Sequence, residues 1–313
     1  MGVIPENCKV ALLAGGSSGE REISLLSGKG AHVALVEAGF TVEDIDPANK
    51  ADLQKLLTNH YDVAFLALHG KNGEDGTIQG MLEILGIPYT GSGVLASALA
   101  MDKSKAKVAY REHGLPTPKA VVLEKSSKRS ADGIADEVGM PCVVKPATDG
   151  SALGVSIVES LDDLQKAIDD DFALDTKVII ESYIQGTEIT VAVLGNKNPH
   201  ALPIIEIVPM NEFYDFDSKY QPGGAKHICP ARLSDDMTML VKKLAERAHD
   251  ALGCRGVSRT DMIIDGEGEP WILETNTIPG MTATSLLPDA AKVEGMDFPT
   301  LCTRLIDLAF EEE

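Results

Sequence analysis

Apolar residues occur in short runs along this chain, alternating between the spacing of strands and that of helices. Residues 10–14 form one such run, closed by Gly15-Gly16-Ser17-Ser18, and read as a buried strand entering a turn. Residues 23–38 repeat apolar positions at helical spacing, and Gly39 supplies a C-terminal cap. A second strand is expected over 62–68, ending at His69-Gly70. A glycine-rich loop, 70–76, leads to a helix over 78–85, and a short strand follows at 87–90. Strand and helix taking turns predict a parallel sheet with helices on both faces, an α/β architecture.

The rhythm changes near residue 100. A Lys-rich helical stretch, 101–112, is stopped by Gly114-Leu115-Pro116-Thr117-Pro118. Strands expected at 120–123, 142–145, 155–158 and 178–181, with a helix over 161–169, describe a small α+β unit. Strands return at 188–193 and 204–208. A polar, aromatic stretch over 211–230 has no clear period and reads as a loop of functional size. An amphipathic helix follows over 234–252. These shifts divide the chain into a Rossmann-like unit, 1–100, a central unit, 101–185, and a C-terminal unit, 186–313, which carries the loop 209–230.

Residues 258–265 and 271–276 are two strand-like runs around Gly266-Glu267-Gly268-Glu269, with Pro270 opening the second. That is a hairpin with a four-residue loop. Placing Asp265 opposite Pro270 sets Met262 against Leu273 and Ile264 against Trp271 on a core face. The other face then carries Asp261 opposite Glu274 and Arg259 opposite Asn276. Two facing carboxylates and an amide oxygen form a hard, all-oxygen donor set of the kind Mg²⁺ takes. Without a cation the facing acids would repel one another.

Composition narrows the classes of function. Of 313 residues, 48 are acidic and 28 basic, a formal net charge of −20, which argues against nucleic acid as a partner. No apolar run approaches the ~20 residues that cross a bilayer, and the first residues carry no signal core, so no membrane role and a cytoplasmic location are expected. Cys8, Cys142, Cys229, Cys254 and Cys302 are widely spaced and read as free thiols, and the histidines form no metal motif.

No P-loop and no dinucleotide fingerprint is present. Lys145 stands in Val143-Val144-Lys145-Pro146, an otherwise apolar strand, which demands an anionic partner. The small-residue loop from Asp149 to Gly154 can cover phosphates with backbone N–H groups. Lys103, in Met101-Asp102-Lys103, is a second candidate, whereas Lys105 and Lys107 read as solvated. Glu181 and Glu188 stand at strand ends, where an acid can accept from a base amino group or a ribose hydroxyl.

In order, and over nearly the whole chain, these segments resemble the D-alanine–D-alanine ligases of the ATP-grasp superfamily. The matching stretches are Gly15-Gly16-Ser17-Ser18-Gly19-Glu20-Arg21-Glu22, Leu68-His69-Gly70, Gly73-Glu74-Asp75-Gly76 and Tyr89-Thr90-Gly91-Ser92. They continue through Met101-Asp102-Lys103, Val144-Lys145-Pro146 and the loop at Ser151. Lys219-Tyr220, Arg259-x-Asp261, Glu274-x-Asn276 and Pro279-Gly280-Met281-Thr282 complete the set.

The resemblance implies an ATP-grasp fold and a cytoplasmic, homodimeric enzyme of peptidoglycan precursor synthesis. Such an enzyme joins two D-alanine molecules through an acylphosphate and releases ADP and phosphate. It also implies two Mg²⁺ ions, with Mn²⁺ as an alternative, on Asp261, Glu274 and Asn276. Lys103 and Lys145 would clamp phosphates, Glu181 would read adenine, Glu188 ribose, and Lys219 would join the nucleotide contacts. Glu20 would hold the first ammonium group, His69 the first carboxylate and Ser285 the second carboxylate. Arg259 and the Gly280 N–H would stabilise the oxyanion, and Ser151 and Tyr220 would tie a loop to Glu20. The sequence departs from the family pattern at Ala152-Leu153, at Ala283-Thr284 and at His227. A related enzyme taking D-lactate or D-serine second is the alternative, and Tyr220 in place of a histidine favours an amine nucleophile.

Overall fold

The structure is a computed structural model that describes residues 2–148, 154–209, 225–282 and 285–311. Among these residues three sheets form. The first is parallel, in the order β2-β1-β3, from β1 (Lys9–Leu13), β2 (Thr41–Ile45) and β3 (Val63–Leu66). Helices α1 (Arg21–Glu37), α2 (Lys50–Thr58) and α3 (Thr77–Leu85) accompany it. The strand expected at 87–90 is reduced to a single parallel bridge between Tyr89 and Ala64.

The helix expected over 101–112 is α5 (Lys103–Glu112), and a helix not assigned from sequence, α4 (Val94–Met101), precedes it, the two broken at Asp102. Asp102 is extended, and its side chain accepts from the backbone N–H groups of Ser104 and Lys105. An aspartate that caps so well starts a new helix instead of continuing the old one. The break sets Lys103 on the first turn of α5.

The second sheet is antiparallel, in the order β4-β7-β5-β6, from β4 (Ala120–Glu124), β5 (Cys142–Pro146), β6 (Ser156–Val158) and β7 (Lys177–Ser182). Helices α6 (Ala131–Val138) and α7 (Leu161–Leu174), capped by Ser130 and Ser160, cover one face. The third sheet runs β11-β10-β8-β12-β13, with β9 (His200–Ala201) beside β8 (Gly186–Leu194). Its other strands are β10 (Ile205–Pro209), β11 (Ala225–Ile228), β12 (Val257–Asp265) and β13 (Pro270–Asn276). Strand β11 lies inside the stretch expected to be loop, because pairing with β10 orders residues that lack a sequence period of their own. The rest of that loop, 210–224, with Lys219 and Tyr220, lies outside the described residues, as does Ser151.

Helix α8 (Asp235–Ala251) packs on the third sheet, burying Val241, Leu244, Ala245 and Ala248 against Ile189, Val191 and Val193. The last helices, α9 (Leu286–Val293) and α10 (Phe298–Phe310), return to the first sheet. Leu301 and Leu305 share a core with Val10, Leu12 and Leu35 and with Ala192 and Leu194 of β8. One apolar core therefore joins the first and third sheets and holds the cleft between them.

The β12–β13 hairpin departs from the expected register in a way that matters for the site. Asp265 belongs to the turn: its carboxylate accepts from the N–H groups of Glu267 and Glu269 and from Trp271 Nε1. Pro270 pairs with Ile264, Trp271 with Ile263 and Ile272 with Met262. A bulge at Leu273 then absorbs one residue, so Asp261 faces Glu274 and Arg259 faces Asn276, as the sequence suggested. The core partners are Ile272, Met262 and Ile264, while Leu273 and Trp271 are only half-buried, contrary to expectation. In an unbulged strand Ile272 and Glu274 would share a face. The extra residue sends one to the core and the other to the cleft.

Candidate active site

A cavity of about 760 Å³ opens where the first and third sheets meet α1, α5, residues 277–282 and Ser285. Glu20, His69, Lys103, Glu188, Arg259, Asp261, Glu274, Asn276, Gly280 and Ser285 all line it. Ten residues from distant parts of the chain, each singled out in sequence, thus reach one cleft. Lys145 and Glu181 do not line this cavity.

The two facing carboxylates are each matched by a cation. Lys103 Nζ lies 3.2 Å from Glu274 Oε2. Arg259 grips Asp261 with both Nε and Nη2 at 3.0 Å, and Thr190 Oγ1 donates to Asp261 Oδ1 at 2.5 Å. The repulsion expected between the bare acids is answered by these side chains. Burial alone would lower the Lys103 pKa, but Glu274, Glu20 and Glu74 outweigh it and hold the ammonium above the usual lysine value. Among the described residues no three His, Cys, Asp or Glu side chains cluster as a metal site. Two carboxylates and the Asn276 amide nonetheless form an all-oxygen donor set, and such a set suits a hard divalent cation.

At the other end of the cleft, Glu20 precedes the first turn of α1, and its carboxylate lies over Gly70. A Cβ on Gly70, which has φ +69°, would stand 2.8 Å from Glu20 Oε2, so only glycine fits there. Glu74, quoted in sequence only as part of a motif, is buried and accepts from Gly70 N at 2.7 Å. Burial, and then the neighbouring Glu20, push its pKa up to about 8. The Glu74 carboxyl is thus held protonated near neutrality beside Glu20. His69 is buried, and desolvation with the nearby Arg259 lowers its pKa to about 4, so its ring is neutral. Ser285 Oγ accepts from Thr282 N at 2.9 Å and lies 2.8 Å from Thr282 Oγ1, and a Cβ on Gly280 would stand 2.8 Å from the same Ser285 Oγ.

Lys145 has the anionic partner its apolar strand demanded, and that partner is Glu181. Register explains the pairing: Lys145 stands opposite Ile179, Glu181 opposite Val143, and both side chains leave the same face of β5 and β7. A third member was misread in sequence. Lys107, expected in solvent, is 1 % exposed, with Nζ 2.5 Å from Glu181 Oε2 and 2.8 Å from Thr117 Oγ1. It stands four residues after Lys103 on α5, and that spacing was the available signal. Burial lowers its pKa to about 8, whereas the two lysines outweigh burial and lower that of Glu181. Thr190 also escaped notice, because its role depends on lying opposite Asp261 across β8 and β12.

Comparison with known proteins agrees with this geometry. The family models "D-ala D-ala ligase N-terminus" and "D-ala D-ala ligase C-terminus" match residues 41–92 and 109–307. A D-alanine–D-alanine ligase of Syntrophobacter fumaroxidans is 50% identical over 98% of this chain and 99% of its own, and one of Pelotomaculum thermopropionicum is 46% identical over 97% of each. A Bacillus anthracis D-alanine–D-alanine ligase solved in complex with ATP is 35% identical, covers 96% of this chain and 97% of its own, and superposes with a TM-score of 0.85. The fold is therefore that of the ATP-grasp enzymes, as the sequence suggested. Within that class, the chain belongs to the D-alanine–D-alanine ligase family.

Proposed function

We propose that this chain joins two D-alanine molecules into D-alanyl-D-alanine with ATP, releasing ADP and phosphate. The observation that carries the reading is the convergence of amino-acid-holding groups and phosphate-facing groups on one cleft, in a chain related to these ligases along its full length. Glu20 would hold the first ammonium group, with His69 at the first carboxylate. That carboxylate attacks the γ-phosphate, its oxygen forming the new P–O bond while ADP departs. The amine of the second D-alanine then attacks the acyl carbon, loses a proton and expels phosphate. Arg259 and the Gly280 N–H face the oxygen that gathers charge, and Ser285 orients the second carboxylate. Lys103 neutralises phosphoryl oxygens. Asp261, Glu274 and Asn276 would hold Mg²⁺, two ions in this reading, and these supply charge neutralisation on the phosphates.

Glu188 would receive the ribose. Lys145 and Glu181 would address phosphate and adenine from the second sheet, Lys219 would join the nucleotide contacts, and Ser151 and Tyr220 would tie a loop to Glu20. The same reading divides the chain at about residues 100 and 185 and makes it a cytoplasmic homodimer. Five free cysteines suit a reducing compartment, and no described helix is long and apolar enough to cross a membrane. Phosphate release across a panel of D- and L-amino acids, D-serine and D-lactate tests the assignment. D-Alanine alone should release one phosphate per dipeptide; equal or better turnover with D-lactate at neutral pH would overturn it.

A further inference from the structure

Helix α1 turns two fully buried serines toward the ends of the first sheet. Ser24 Oγ accepts from Gly15 N at 2.8 Å and donates to the Ala67 carbonyl at 2.7 Å, fastening the ends of β1 and β3. Ser27, one turn later, is just as buried but serves the cleft. Its Oγ lies 3.1 Å from His69 Nε2 and 3.3 Å from the Met281 backbone N. Where α1 passes Met281 it has Gly30, and a Cβ there would stand 2.9 Å from the Met281 carbonyl oxygen. The helix therefore sits tightly against the segment that carries Gly280, and the Ser27 hydroxyl is the polar link across that contact.

Hydrogen-bond bookkeeping then assigns the protons. A backbone N–H can only donate, so Ser27 Oγ accepts from Met281. Among the described residues the hydroxyl's other partner is His69 Nε2; a protonated Nε2 would leave the buried hydroxyl proton without an acceptor, so the satisfied arrangement has Nε2 accept it. A neutral imidazole whose Nε2 accepts carries its proton on Nδ1. We propose that Ser27 is a positioning residue that fixes His69 in its Nδ1–H tautomer while pinning the Gly280–Met281 peptide, so that the ring faces substrate as a hydrogen-bond donor. The inference rests on the ligase reading and deepens it. His69 lines the cleft, and with Nε2 engaged its one remaining polar group is a donor. A donor suits the carboxylate of the first amino acid and is useless as a base toward its ammonium group. Ser27 thereby aligns the histidine and the Gly280 N–H through one oxygen.

The test is ¹⁵N NMR of the ¹⁵N-histidine-labelled full chain, with His69→Gln assigning the signal. His69 should show a protonated Nδ1 and an unprotonated Nε2 at neutral pH; a protonated Nε2 in the parent protein would overturn the proposal. Ser27→Ala should shift the tautomer balance and raise KM for D-alanine on the order of 10-fold, with KM for ATP unchanged. An unchanged KM for D-alanine, or an equal rise in both constants, would also overturn it. The two readings fail separately. If the parent protein releases no phosphate with D-alanine, the ligase reading falls, and the tautomer is still measurable. If the enzyme is active and His69 is protonated on Nε2, only the Ser27 assignment falls.

Discussion

Acids meet cations at two places in this molecule, and the two are built differently. On the β12–β13 hairpin each carboxylate has its own cation, Lys103 for Glu274 and Arg259 for Asp261, and all four line the cleft. In the second sheet one carboxylate, Glu181, is shared by Lys107 and Lys145 and sealed from solvent. A pair on a cleft wall can exchange its partner for a ligand at modest cost, since solvent and substrate offer replacements. A buried group can do so only if nothing is left behind as an uncompensated charge in low dielectric. If Lys145 turns to a nucleotide phosphate, Lys107 still holds Glu181, and that explains a second buried lysine beside one acid. Equal numbers of ion pairs therefore mean independent exchange in one place and, in the other, exchange that a second lysine must back up.

The comparison breaks first at the bulge. Inserting an alanine after Ile272 would move Glu274 one position further along β13 from the core pair Ile272–Met262, so that it no longer faces Asp261. Turnover should fall on the order of 10³-fold or more, with loss of stability, whereas Leu273→Ala, which keeps the residue count, should retain most activity in a phosphate-release assay. Glu181→Gln should cost about 3–5 kcal/mol in denaturant unfolding, because two buried lysines lose the anion they share. Lys107→Met leaves one cation on one anion and should cost much less; equal costs would mean that the trio does not act as a unit. Glu274→Gln should lower turnover about 10²-fold while nucleotide affinity, measured by equilibrium binding, changes little.

The smallest effect concerns Glu74. Its pKa rises from 4.5 to about 8 on folding, so between those values the folded state holds a proton that the unfolded state has released. Stability contributed by this group is therefore full below pH 4.5 and falls as pH rises toward 8. Glu74→Gln should remove that slope. The stability difference between variant and parent should grow in the variant's favour across this window, and a constant difference would show that Glu74 is ionised throughout.

Much of the site was legible because short-range order carries it. Glu20 stands where a strand-to-helix turn must open, His69 where an apolar strand ends, and Lys103 directly after a capping aspartate. The pairs Asp261–Glu274 and Arg259–Asn276 followed from one hairpin. Their register survived because a one-residue offset at the Asp265 turn is cancelled by the Leu273 bulge. What escaped was long-range. Lys107 has the sequence signature of a solvated helix face, and it is buried only because Glu181 lies across from it. Strand β11 has no periodicity of its own, and its edge pairing with β10 orders it.

By itself, then, the chain determined the alternation of strand and helix, the order of the polar motifs and the oxygen-rich face of one hairpin. These depend on spacing, turn chemistry and the two-residue period of a strand, all of which act over a few residues. The tertiary structure alone decided which lysine is buried, which residue bulges and which hydroxyl sets the proton on His69. Those depend on what another segment brings to within about 3 Å, where hydrogen bonding and desolvation take effect.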